Sequence, residues 1–150
     1  MIIRFVAPVL IMVALAFACG PRSHSSERPH GTTTHADGPA VASSLDVSVG
    51  KQVTFAFHVT NSGSKRIELN FPNGQTHDIV VLDSLGREVW RWSEGRMFTQ
   101  SLQNKLLSSN ETLTYQEKWT PPAVQGRFQA VAVLKSVNYP LEQRVEFAIP

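Results

Sequence analysis

Few residues of this chain are able to do chemistry. Its 150 residues include five histidines and one cysteine. His77 and Asp78 are neighbours, and a histidine beside a carboxylate can activate water or a hydroxyl. They fall in a strand-like run, however, where successive side chains point to opposite faces. A direct dyad is therefore excluded. His58 sits on the polar face of its own run and reads as a solvated side chain. His24, His30 and His35 are spaced six and five apart, which suits neither one helix face nor a tight metal-binding loop. No Gly-x-Ser-x-Gly elbow, His-Glu-x-x-His helix, phosphate loop or dinucleotide fingerprint occurs. The sequence thus predicts no catalytic residues, no metal and no cofactor. One cysteine also excludes an internal disulfide framework. The formal charge of +2, from 14 Lys and Arg against 12 Asp and Glu, is too small to point to nucleic acid.

That single cysteine, Cys19, stands at an informative place. Arg4 is the only charge before Arg22, and 16 of the first 18 residues are apolar. The run Phe5–Ala18 is short for a bilayer-spanning helix, which needs about 20 residues. A basic start, a short apolar stretch and small residues at its end describe a secretory signal. The end of the run, Leu15-Ala16-Phe17-Ala18-Cys19-Gly20, resembles the bacterial lipobox. That resemblance implies cleavage before Cys19, lipidation of its sulfur and export to a membrane surface, the outer membrane in a cell with two. Several acyl chains on one residue give stable anchoring, where a single chain is marginal. Residues 1–18 are accordingly expected to be a lipoprotein-type signal. Residues 19–44 are expected to be the lipidated cysteine and a disordered tether. Of the 25 residues Gly20–Ser44, 14 are Gly, Pro, Ser or Thr, too few apolar groups to offset the entropy of ordering. Such a tether spans about 25–30 Å.

From Leu45 the pattern changes to period two. Val53, Phe55, Phe57 and Val59 alternate with polar or small residues, as do Ile67, Leu69 and Phe71. Leu113, Tyr115 and Trp119 share a face, as do Phe128, Ala130, Ala132 and Leu134, and then Val145, Phe147 and Ile149. Each such run offers one apolar and one polar face. Ile79–Leu82 is apolar on both faces and reads as a central strand. Turn signals at Asn61–Ser64, Pro72–Gly74, Asp83–Gly86, Ser93–Gly95 and Pro121-Pro122 divide the runs. Only Ser101–Leu107 suggests a helical turn. Seven to nine short strands over residues 45–150 predict an all-β, immunoglobulin-like antiparallel sandwich.

One stretch is more specific than pattern. It runs Leu69-Asn70-Phe71-Pro72-Asn73-Gly74-Gln75-Thr76-His77-Asp78. After Ile79–Ser84 it continues Leu85-Gly86-Arg87-Glu88-Val89-Trp90-Arg91-Trp92-Ser93-Glu94-Gly95-Arg96-Met97-Phe98-Thr99-Gln100. This resembles the BsuPI domain, a family named after an intracellular proteinase inhibitor of bacilli. The resemblance rests on Gly74-Gln75, Asp78, the Val-Trp-Arg-Trp-Ser run through Ser93, Gly95 and Phe98-Thr99-Gln100. His77 replaces a usual Tyr, and Ile79 a frequent Phe. The resemblance implies an immunoglobulin-like sandwich that binds a protein partner, with a proteinase as the implied target. Two roles remain open for the motif residues. Gly74 can supply a positive φ, with Gln75 and Asp78 bonding backbone groups, Trp90 and Trp92 packing, and Arg91 pairing with Asp78, Asp83 or Glu88. Alternatively, the Trp strand and its following turn form a binding surface, since Trp and Arg are frequent interface anchors. Arg96-Met97 is then the candidate bait segment, although no disulfide braces it. The function expected is a membrane-anchored, non-enzymatic protein-binding module with proteinase inhibition as its implied activity. The alternative is a structural accessory domain of an envelope assembly.

Overall fold

The computed structural model describes residues 41–150, which form nine strands. These are β1 (Val41–Val49), β2 (Val53–Asn61), β3 (Ile67–Phe71), β4 (His77–Asp83), β5 (Glu88–Arg91), β6 (Gln103–Leu107), β7 (Thr112–Trp119), β8 (Gly126–Leu134) and β9 (Leu141–Ile149). The signal segment, Cys19, the three tether histidines and the tether up to residue 40 lie outside the described residues. Every pairing is antiparallel. One sheet has the order β1-β2-β7, another β5-β4-β8-β9, and β3 pairs with β6 alone. This is the immunoglobulin-like sandwich that the alternating runs predict.

Burial follows the period-two pattern closely. Val53, Phe55, Phe57 and Val59 of β2 are fully buried, and the residues between them are half-buried. Ile79 and Val81 of β4 face them with Ala130, Ala132 and Leu134 of β8. Aromatic contacts join the two larger sheets. The Phe55 ring stacks on Trp90 at 5.6 Å and meets Phe147 edge-on at 6.1 Å, while Trp119 meets Phe128 at 6.0 Å. Each fully buried Phe or Val contributes about 1.5–3 kcal/mol of transfer free energy, and no cysteine lies within residues 41–150. Strand β4 lies between β5 and β8, as expected for a strand apolar on both faces.

Two boundaries differ from the sequence reading. Strand β1 starts at Val41, so the last four residues of the segment read as tether, 41–44, belong to a strand. Val41, Ser43, Leu45 and Val47 share the inward face of β1. Ser43 interrupts the apolar series there, because its hydroxyl accepts a hydrogen bond from the Gln143 amide at 3.0 Å. Val41 itself is buried. The second correction concerns Ser101–Leu107. It is the one segment expected to form a helical turn, but Gln103–Leu107 is a strand paired residue for residue with β3. Without β6, the backbone groups along that edge of β3 would lack partners. Leu107 points inward and is buried, while Leu106 remains exposed.

Candidate protein-binding site

The motif residues converge on one end of β4 and the chain that follows β5. A tight turn starts this construction. Asp83 Oδ1 accepts the Leu85 and Arg87 backbone N–H groups, each at 2.9 Å, and Gly86 takes a positive φ of 76°. The Arg87 backbone N–H, then its side chain, hold the Asp83 carboxyl below its usual range. A register shift between Val81 and Leu82 lets β5 return beside β4 with Trp90 opposite Val81 and Arg91 opposite Val80. Trp90 therefore faces the core and Arg91 the outer face. Beyond β5, the Trp92 N–H continues the pairing by donating to the Ile79 carbonyl at 2.8 Å.

Asp78 is the hub. It is 2% exposed, and its carboxylate accepts four hydrogen bonds. Oδ1 takes the N–H of Ile79 at 3.0 Å and of Ser93 at 3.2 Å. Oδ2 takes Arg91 Nη1 at 2.8 Å and the Ser93 hydroxyl at 2.9 Å. Four donors match the acceptor capacity of one carboxylate. Arg91 also forks onto Glu88, with Nε donating to Oε1 at 3.0 Å. Glu88 first, and Asp78 next, raise the guanidinium pKa further above its ordinary value. Of the three carboxylates expected for Arg91, Asp78 and Glu88 take it; Asp83 is held by Arg87.

His77 points to the other face, as strand geometry requires. Its ring lies 4.1 Å from those of both Trp92 and Tyr115, and its Nε2 is 3.1 Å from a Glu117 carboxylate oxygen. Burial lowers the His77 pKa, and Glu117 opposes that shift. Glu117 lies outside the sequence motif. Its signal was there: it occupies the inward slot between Tyr115 and Trp119, where a charge needs a partner.

The segment after Trp92 folds over that ring. Ser93–Arg96 makes a turn in which Arg96 N–H donates to the Ser93 carbonyl at 3.1 Å and Gly95 has a φ of 70°. The Arg96 guanidinium lies 4.5 Å over the Trp92 ring, and its Nε donates to the Trp92 carbonyl at 2.8 Å. Phe98 packs on the same indole at 5.7 Å. Gln100 donates to the Phe98 carbonyl at 3.2 Å. Gly74 closes the far side through its N–H, which donates to the Thr99 carbonyl at 2.8 Å. Its role differs from the expected one. Gly74 is not among the residues of positive φ. A Cβ there would stand 2.6 Å from Thr99 Oγ1 and 3.2 Å from Thr99 N. Glycine is required by close approach. The Gln75 backbone N–H is bonded to Asn73 Oδ1 at 2.9 Å, and its side chain is half-exposed. The two Trp rings are half-buried in aromatic contacts, so the most exposed apolar groups nearby are Met97 and Leu102. His58, on the outer face, meets Thr114 and Asp46.

The sequence model of the BsuPI family, described as "Intracellular proteinase inhibitor", matches residues 41–139. The chain belongs to the BsuPI family. The match starts where β1 starts and spans both the Asp78 hub and the braced loop. No curated protein matches the chain. Among solved structures, the BsuPI chain is similar to a β-glucosidase of Erythrobacter marinus at 15% identity and a TM-score of 0.38, over 72% of this chain and 16% of that one. A Bacteroides uniformis β-glucuronidase shares 14% identity with a TM-score of 0.39, over 73% and 13%. The yjhA protein of Bacillus subtilis shares 14% identity with a TM-score of 0.38, over 71% and 89%. The BsuPI chain thus spans less than a fifth of either glycosidase. At such scores, none of these likenesses bears on its activity.

Proposed function

We propose that this BsuPI chain is a non-enzymatic, lipid-anchored inhibitor of a proteinase outside the cytoplasm, and that it binds through the loop joining β5 to β6. The observation that supports this most is the family match, which spans the whole braced loop. The family is described as intracellular. The basic-apolar leader ending at Cys19 is the reason to place this member on an exported surface instead, held by the lipid and the tether. The loop suits such a role because it is exposed at its crown and fixed at both ends. Its beginning is held by Asp78 through Ser93, and its end by Gly74 through Thr99. Hydrogen bonds and a shared indole supply the brace that a disulfide supplies in many small inhibitors.

The test is direct. The full chain is mixed in micromolar excess with a panel of serine and metalloproteases, and residual peptide hydrolysis is followed. Slowing of at least one protease is expected. If every protease runs at its uninhibited rate, the inhibitory reading fails and an accessory role in an envelope assembly takes its place.

A further inference from the structure

The loop does not present its residues equally. Arg96 and Phe98 both dock on the Trp92 ring, one over it at 4.5 Å and one against it at 5.7 Å. Met97 lies between them in sequence. With both neighbours turned onto the same indole, its side chain is driven outward, and Met97 is 99% exposed. A fully solvated Met is an unbranched apolar group with three rotatable bonds, able to fill an irregular apolar pocket. Arg96, the other candidate bait residue, is already engaged. Its Nε is bonded to the Trp92 carbonyl and its charge lies on the indole face, so presenting it to a partner would break both contacts.

We infer that Met97 is the side chain that enters the primary specificity pocket of the target, and that this target is an endopeptidase selecting large apolar side chains, with Arg96 as the strut that holds Met97 out. This rests on the inhibitory reading above and adds the class of protease to it. It also accounts for a glycine at position 95. The positive φ there turns the chain so that Arg96 folds back on Trp92 and the next residue leads.

The full chain is titrated against chymotrypsin, whose pocket is an apolar slot, and against trypsin, whose pocket holds a carboxylate for cationic side chains. The expected result is inhibition of chymotrypsin in preference to trypsin. Met97→Gly should weaken it about 10- to 100-fold, the burial of one Met side chain. Met97→Lys should move the preference to trypsin. Arg96→Ala should weaken inhibition without changing the preference. Tryptophan fluorescence and circular dichroism check that the variants keep the fold, as expected for a residue exposed on all sides. Chymotrypsin inhibition unmoved by Met97→Gly and Met97→Lys would overturn the assignment while leaving inhibition itself standing. Inhibition of trypsin that Arg96→Ala abolishes would overturn it in favour of Arg96. Slowing of neither, while another protease of the panel is slowed, overturns this inference alone; slowing of none across the whole panel overturns the inhibitory reading as well.

Discussion

Asp78 and His77 are adjacent residues with opposite duties. Asp78 accepts four hydrogen bonds, one from Ile79 within β4, one from Arg91 of β5 and two from Ser93 that tie the strand to the loop. Removing a buried partner leaves its counterparts unpaired, which costs more than the bonds contribute net. Asp78→Ala should therefore destabilise the domain by about 3 kcal/mol, read as a drop in the urea midpoint. Ser93→Ala, which removes one donor only, should cost about 1 kcal/mol. Equal midpoints for the two would contradict the hub. His77 serves the core instead. Burial lowers its pKa from the ordinary 6.5, with Glu117 and Asp78 pulling it up and Arg96 pushing it further down. The unfolded chain thus takes up this proton at a higher pH than the folded one. The stability involved is complete above the ordinary value and is lost as pH falls through the lowered folded value. The parent should lose more stability than His77→Tyr between pH 7.5 and pH 5. Parallel losses in the two proteins would assign the acid sensitivity to other groups.

At the scale of elements, what matters is how a short strand and an irregular segment are held in one conformation. β5 has only four residues, and residues 92–102 form no strand beyond it. Their order comes from side chains and from one close approach, Gly74 against Thr99. Gly74→Ala must displace Thr99 or lengthen the Gly74–Thr99 hydrogen bond. It should cost about 1–2 kcal/mol and increase amide exchange selectively within residues 97–101. Exchange at the parent rate there would show that the contact is dispensable. The same elements show what is legible in sequence. β2 can be read directly, because four apolar side chains alternate without interruption. β1 was cut short because a half-buried Ser43 broke the alternation. β6 is not legible as a strand because it lacks a clean alternation, and only β3, more than thirty residues earlier, supplies the edge that makes it one. The motif marked the site through its residue types, but the reason for Gly74 is a distance of 2.6 Å to Thr99 Oγ1, which no local pattern encodes. The role of Glu117 is not legible locally, because its partner, His77, lies on another sheet.

Residues 41–150 form a sandwich without a cysteine, and the N-terminal segment is the anchor of the proposed function. The core joins the two larger sheets through β2, β4 and β8, and the loop stands at the end of β4 opposite the Asp83 turn. An open pocket of about 560 Å³ lies at that other end, between the Asp83 turn and the ends of β8 and β9. Arg127 and Glu146 in its lining fall outside the motif stretch, while Gly86 belongs to it. If Cys19 carries the lipid, Cys19→Ser should move the protein from the membrane fraction to the soluble fraction or leave the leader uncut. Fractionation like the parent would show that Cys19 carries no anchor. In the proposed complex the loop between β5 and β6 meets the proteinase. Hydrogen–deuterium exchange of the full chain, alone and in complex with the protease that it slows, tests this most directly. New protection is expected to concentrate in residues 93–102, with Met97 and Phe98 the most protected. Protection confined to the Asp83 turn and the ends of β8 and β9, with residues 93–102 exchanging as in the free chain, would contradict it.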